Sequence, residues 1–215
     1  MPRFPRWINY LRPALGIVLV TVPVYLVLLA WYGGSPKTLS AGYQPVQPIE
    51  YSHAMHVGQL GMDCRYCHNT VERAARAAVP PTQTCMNCHA TIRTTSNKLV
   101  LFREDYANGM PIPWQRVHNL PDYAYFNHSA HVTRGVGCYS CHGRIDTMDR
   151  VWQVQPLSMG WCLECHRNPM PNLRPVVAVT QMNWVPPNGD QAAVGKMVRE
   201  QLQINPPTDC TGCHR

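Results

Sequence analysis

A chain of 215 residues with 20 prolines, only 14% charged residues and few long periodic stretches does not read as a conventional helical bundle or sheet. Its formal charge of +7 would suit nucleic acid or an acidic partner, but no phosphate loop, dinucleotide fingerprint or basic-aromatic array accompanies it. What the composition supplies instead is cysteine and histidine, 10 of each.

In chain order, residues 1–12 carry Arg3, Arg6 and Arg12 and lead into an uncharged, mostly apolar run, residues 13–32. As a helix that run would span roughly 30 Å, the thickness of a bilayer core. Arg3, Arg6 and Arg12 precede it and only Lys37 follows closely. The expectation is therefore a single-pass anchor in the inner (cytoplasmic) membrane, amino end in the cytoplasm and everything after Gly33 outside. Trp7 and Tyr10 on one side, with Trp31 and Tyr32 on the other, sit where interfacial aromatics belong, and Pro23 predicts a bend. A cleaved export signal has an apolar region of about 7 to 15 residues and small residues at its cleavage site. This run is longer and no A-x-A follows it, so a retained anchor is expected. Residues 33–50, rich in Gly, Pro, Ser and Gln, read as an extended tether.

Every cysteine falls in a C-x-x-C-H segment: Cys64/Cys67/His68, Cys85/Cys88/His89, Cys138/Cys141/His142, Cys162/Cys165/His166 and Cys210/Cys213/His214. In such a segment one turn of chain places two thiols against the vinyl groups of a protohaem for thioether bonding, and the adjacent imidazole reaches the iron from one face. Zinc would leave the five adjacent histidines unexplained, so five covalently bound haems c are expected, with His68, His89, His142, His166 and His214 proximal. Five histidines remain for the five opposite faces: His53, His56, His118, His128 and His131. Methionine is the usual alternative distal ligand, and Met159 and Met182 are the ones placed to serve as such. A ferric bis-histidine haem with its two propionates brings about −1 and a ferrous one about −2, so the haem-loaded chain would carry about +2 oxidised and about −3 reduced. Much of the basic excess is then internal compensation.

The segment Y-S-H-A-M-H before Cys64 matches F-N-H-S-A-H before Cys138, and in each copy a second C-x-x-C-H follows a Pro-containing stretch. This gives a two-haem module with its connector over residues 51–125, a second module over residues 126–166, and a Pro-rich arm with the fifth haem over residues 167–215. On one helical turn His128 and His131 lie roughly 5 to 6 Å apart at Cβ. One would then serve the iron of His142 and the other a neighbouring iron. Elsewhere a short amphipathic helix is expected around Lys98–Arg103, a short strand around Val176–Val179 and a helix over Gln191–Leu202. The roughly 165 residues after the tether leave about 33 per haem, so porphyrins must supply much of the apolar core. The fold class expected is one N-terminal transmembrane helix plus short helices and loops wrapped around five haems, with little or no sheet.

A haem enzyme that binds substrate at iron needs an open coordination position. No motif here departs from C-x-x-C-H and the spare histidines close every iron, which argues for electron transfer with no catalytic site. Asp122, Asp146 and Glu164 are expected to be solvated or bonded to loops. The HxxH pairs resemble those of small class III multihaem cytochromes. The whole architecture, with the run P-I-P-W-Q-R-V-H-N-L-P-D-Y-A-Y-F-N-H-S-A-H-V, resembles the pentahaem membrane-anchored subunit of alternative complex III, in detail from Tyr51 to His166 and most weakly in the arm. The class III resemblance implies His53 on the haem of His68 and His128 on that of His142, with His56, His118 and His131 shared among the haems of His89, His166 and His214. The complex III resemblance implies an integral membrane subunit that oxidises quinol, an iron-sulfur subunit, and a monohaem cytochrome c or other periplasmic acceptor. Its competitor is a self-contained, membrane-anchored quinol dehydrogenase feeding a periplasmic reductase.

Overall fold

The computed structural model describes residues 4–35, 38 and 40–214. Arg3 and Lys37, two of the charges behind the expected orientation, lie outside the described residues. The apolar N-terminal run forms helix α1, Ile8–Gly33, with Pro13 and Pro23 inside it and no residue buried against protein. A helix apolar on every side and covered nowhere by protein is suited to hydrocarbon. At 1.5 Å per residue its length is about 39 Å, enough to cross a bilayer core with its interfacial turns.

The stretch expected as a free tether is fastened over its second half. Gly42 N–H donates to Gln153 O at 2.7 Å and Gln153 N–H returns a bond to Tyr43 O at 3.0 Å. Gln44 donates to Arg150 O at 2.9 Å, Gln47 both donates to and accepts from the Gln115 backbone, and Ile49 is buried. A glutamine amide can donate and accept at once, so the composition that suggests a flexible linker also suits a clasp.

After it come short helices: α2 Cys64–Cys67, α3 Thr82–His89, α4 Val100–Ala107, α5 His128–Val132, α6 Cys138–His142, α7 Met159–Arg167 and α8 Gln191–Gln201. Side-chain caps start several of them, each satisfying a free backbone N–H: Asp63 before α2, Asn127 before α5, Ser158 before α7 and Asp190 before α8. The helix expected around Lys98–Arg103 begins as a 3₁₀ turn, Asn97–Leu99, and continues as α4. Seven residues separate His56 from Cys64 but six separate His131 from Cys138. The first copy accommodates its extra residue with a π-type turn, Ala54–Gln59, where the second has the α-helical α5.

Among the described residues there is no strand, only isolated bridges at Ala124/His214 and Val136/Leu173. The strand expected at Val176–Val179 is instead a 3₁₀ turn, Val176–Ala178, closed by Ala178 N–H to Pro175 O at 2.8 Å. Ala178 and Val179 are buried there. Val176 and Val177 beside them are exposed, so the run lacks the alternation of a half-buried strand.

The side-chain core is small. Ile49, Phe102 and Ile112 form one cluster with Cys85, Met86, Leu99 and Trp114 around them, while Val132, Leu173, Val179 and Val198 are buried in the second half. That is little apolar burial for a domain of this length, so most of the interior falls to groups carried by the cysteines. Helix α8 is docked on the turn Met170–Asn172, with Gln191 donating to the carbonyls of Met170 and Leu173 at 2.9 and 2.7 Å. A Cβ on Gly195 would overlap the Met170 carbonyl, its carbon lying 2.8 Å away. Gly195→Ala is expected to destabilise the domain by about 1 to 3 kcal/mol through this backbone overlap, measured by denaturant unfolding of the haem-loaded protein; an unchanged midpoint would contradict the close packing.

Candidate haem sites

Four of the five motifs put both cysteines on one helix: α2, α3, α6 and α7. The fifth lies on a 3₁₀ turn, Cys210–Gly212, capped by Asp209. All ten thiols are free. Burial pushes Cys64 up to about 11 and Cys141 up to about 12. Both of these thiols are neutral at physiological pH, the form that adds to a vinyl group. Among the described residues no three His, Cys, Asp or Glu side chains converge on one point; the donors associate in twos, which suits an iron whose other four ligands are porphyrin nitrogens.

The histidines share a device. Seven rings direct Nδ1 at a backbone carbonyl: His56 at Ser52 (2.8 Å), His68 at Ala78 (2.7 Å), His89 at Ile92 (3.1 Å), His128 at Ala75 (2.9 Å), His131 at Asn127 (2.7 Å), His166 at Pro207 (2.6 Å) and His214 at Tyr123 (3.0 Å). A carbonyl only accepts, so Nδ1 carries the proton and Nε2 keeps a bare lone pair. This is the tautomer and orientation a metal-binding imidazole requires. His53, His118 and His142 are the exceptions, with His53 Nδ1, His118 Nε2 and His142 Nδ1 buried and unpartnered. Burial pushes His53 and His118 down to about 4 and His142 down to about 3, and it lowers His131 also, so these rings are neutral.

Two pairs of rings stand apart at a telling distance. The centroids of His56 and His89 are 6.3 Å apart, and those of His131 and His166 are 6.1 Å apart. Imidazoles on opposite faces of one metal, each bonded at about 2 Å with roughly another 1 Å from nitrogen to centroid, come out about 6 Å apart. In both copies the second histidine of the HxxH pair thus faces the proximal histidine of the downstream motif. His118 and His142 are closer, 4.4 Å at 72°, which is shorter than two imidazoles on opposite faces of one metal would stand, so this contact is not itself a ligand pair. After burial, His68 is the group that acts most on His53. Where the class III resemblance implies His128 opposite His142, the ring in contact with His142 is His118, and His128 is the next to act on it. His214 is held against Tyr123 and bridged to Ala124. Met182 is buried and Met159 is 67% exposed. Asp122 and Glu164 are exposed, and Asp146 pairs with Arg144 at 2.8 Å.

Sequence reasoning passed over Tyr51 and Phe126. Tyr51 stacks on His56 at 4.4 Å and meets His53 edge-on at 4.8 Å; Phe126 lies tilted against His131 at 4.6 Å and meets His128 edge-on at 4.8 Å. Each aromatic lies two residues before the first histidine and fixes the splay of the pair. The repeat alignment holds that signal, since the aromatic recurs with the histidines.

A family model described as cytochrome c7 and related cytochrome c matches residues 49–103 and 124–215. It takes in all five motifs and omits the segment with His118. The chain is also 28% identical over 166 residues to the menaquinone reductase, multiheme cytochrome c subunit, of Nitratidesulfovibrio vulgaris, an alignment covering 67% of this chain and 78% of that protein.

Asp63 positions the first motif. Its carboxylate accepts from the Arg65 backbone N–H at 2.8 Å, the Arg65 guanidinium at 2.9 Å and the Thr180 hydroxyl at 2.9 Å. The Arg65 side chain is the main reason its carboxyl falls from 3.8 to about 2. A folded-state value below the unfolded one gives stability that is complete above pH 3.8 and is lost as the pH falls toward about 2. Asp63→Asn is therefore expected to flatten the unfolding free energy across that acid window, and a slope equal to the parent's would contradict the pairing.

Proposed function

Because the chain belongs to the family of cytochrome c7 and related cytochromes c, and so carries covalently bound c-type haem, we propose that it holds five such haems and is the membrane-anchored electron relay of a quinol-oxidising complex of the alternative complex III kind. Within it, the thiols of Cys64, Cys67, Cys85, Cys88, Cys138, Cys141, Cys162, Cys165, Cys210 and Cys213 form the thioether bonds. His68, His89, His142, His166 and His214 bind from the proximal side. His56 completes the site of His89 and His131 that of His166. His53, His118 and His128 complete the sites of His68, His142 and His214, with His53 beside His68. Bound haem supplies one-electron storage and transfer, at potentials set by its ligands and surroundings.

The observation that carries this reading is the pair of ring separations, 6.3 and 6.1 Å, together with the carbonyl-anchored Nδ1 atoms. Rings fixed on both faces leave a substrate nowhere to bind, and their fixed orientation limits the rearrangement that accompanies each electron. The chain's residues therefore hold, orient and exclude water, and the quinol chemistry belongs to a partner. The partners proposed are an integral membrane quinol-oxidising subunit, an iron-sulfur subunit that donates to this chain, and a monohaem cytochrome c or other periplasmic acceptor. Helix α1, with Arg6 and Arg12 at its start, would set the amino end in the cytoplasm and the haem domain in the periplasm. The name of the relative from N. vulgaris favours a second reading, in which the same relay runs toward menaquinone.

Two experiments test the proposal. His56→Ala is expected to turn the haem of His89 high-spin and His131→Ala that of His166, resolved by low-temperature electron paramagnetic resonance; both variants altering the same haem would overturn the pairing. Mixed alone with a quinol, the haem-loaded chain is expected to stay oxidised, and to be reduced promptly within its purified complex. Rapid reduction of the isolated chain would make it a self-contained quinol dehydrogenase, and turnover only from reduced cytochrome to menaquinone would establish the second reading.

A further inference from the structure

Arg174 is the one arginine among the described residues that is buried, at 7% exposed. Its Nη1 donates to Gln181 O at 2.7 Å and its Cζ stands 5.1 Å over the Trp184 ring. The guanidinium lies against Gly137, where a Cβ would overlap Nε and Cζ and leave Nη2 only 2.7 Å away. That glycine immediately precedes Cys138. No ion pair joins Arg174 to any carboxylate among the described residues; the ionisable groups that act on it are Cys138 and Tyr139. Asp63, the acid near enough to act on Cys138, is already neutralised by Arg65 at 2.9 Å. Arg65 is shared with Glu72 at 3.1 Å, so Arg174 is the cation beside the thioether edge of this site that has no carboxylate of its own.

The same site differs from the other four in a second respect. His68, His89, His166 and His214 each donate Nδ1–H to a carbonyl, at 2.7, 3.1, 2.6 and 3.0 Å. His142 Nδ1 is buried with no acceptor. A bonded Nδ1–H makes an imidazole more electron-rich and favours ferric iron; an unbonded one removes that bias.

We infer that Arg174 and the unanchored His142 make the Cys138–His142 site the highest-potential centre of the chain, the one where electrons collect. The inference rests on the haem ligation proposed above. The effects share a sign. Reduction adds one electron and no proton, removing one positive charge from the ferric centre. A buried cation without a carboxylate partner, close to the site, favours that change. So does enclosure by protein around the iron, because the iron–porphyrin core, propionates apart, is cationic when ferric and neutral when ferrous. So does a proximal imidazole with no acceptor to enrich it.

Potentiometric titration of the haem-loaded full chain, with the haem count checked by mass, tests this. Arg174→Gln, whose amide can still donate to Gln181 O, is expected to raise the oxidised-to-reduced ratio at the first-reduced component's parental midpoint about tenfold, a downward shift of about 59 mV for one electron. The other components should stay in place, and Arg174→Lys, which keeps the charge, should leave the first component near its parental midpoint. A titration of Arg174→Gln superimposable on the parent, or a shift confined to a low-potential component, would overturn the inference while leaving the ligation intact. Should the glutamine variant fail to accumulate, the parent itself decides. On stepwise reduction, the first ferric resonance signal to vanish must be the one least relaxed by a soluble paramagnetic ion, because the His142 site is the most enclosed. First loss of a strongly relaxed signal overturns the inference, and a missing haem at Cys138 overturns it together with the ligation reading.

Discussion

The fold depends on backbone carbonyls that hold histidine Nδ1 atoms. Each such bond fixes a tautomer and aims Nε2, and it also satisfies a carbonyl that a loop would otherwise leave to water. Several tie distant segments together: His128 to Ala75, His166 to Pro207 and His214 to Tyr123. In a domain without a strand among its described residues, these links do part of the work that a hydrogen-bonded ladder does elsewhere. Short helices suffice because each needs only to present two thiols and a ring.

One arrangement is built twice. In both copies an aromatic packs between two histidines and the second ring is anchored to the carbonyl four residues before it, Ser52 for His56 and Asn127 for His131. That ring then faces the proximal histidine of the next motif in both. The copies differ by one residue between pair and motif, and the first relaxes into a wider turn to keep the geometry. His118 stands outside this scheme, in a segment that the family match omits, and it meets the one proximal ring that lacks an anchoring carbonyl.

The sequence made the motifs, the histidine balance, the repeat, the apolar N-terminal helix and α8 legible, because each rests on local spacing or periodicity. Ring partners were not legible in the same way. Whether His131 faces His166 depends on the path of the chain between them, and nothing local encodes that path. The class III resemblance left His118 open, and its contact with His142 comes from a connector whose course no motif announces. Val176–Val179 misled because a β-branched run reads as a strand, whereas here it turns after Pro175 and leaves Val176 and Val177 exposed. The clasp of residues 42–49 stayed hidden because its glutamines find their partners about 70 and 105 residues away.

That clasp has a mechanical consequence. With residues 42–49 fastened to the domain, only eight residues separate Gly33 from the first of these bonds, a span under about 30 Å even if fully extended. On the function proposed above, a domain held so close to the bilayer would meet a membrane-embedded redox partner at an effective concentration on the order of millimolar. Contacts too weak to survive dilution in free solution would then be enough to keep the two docked.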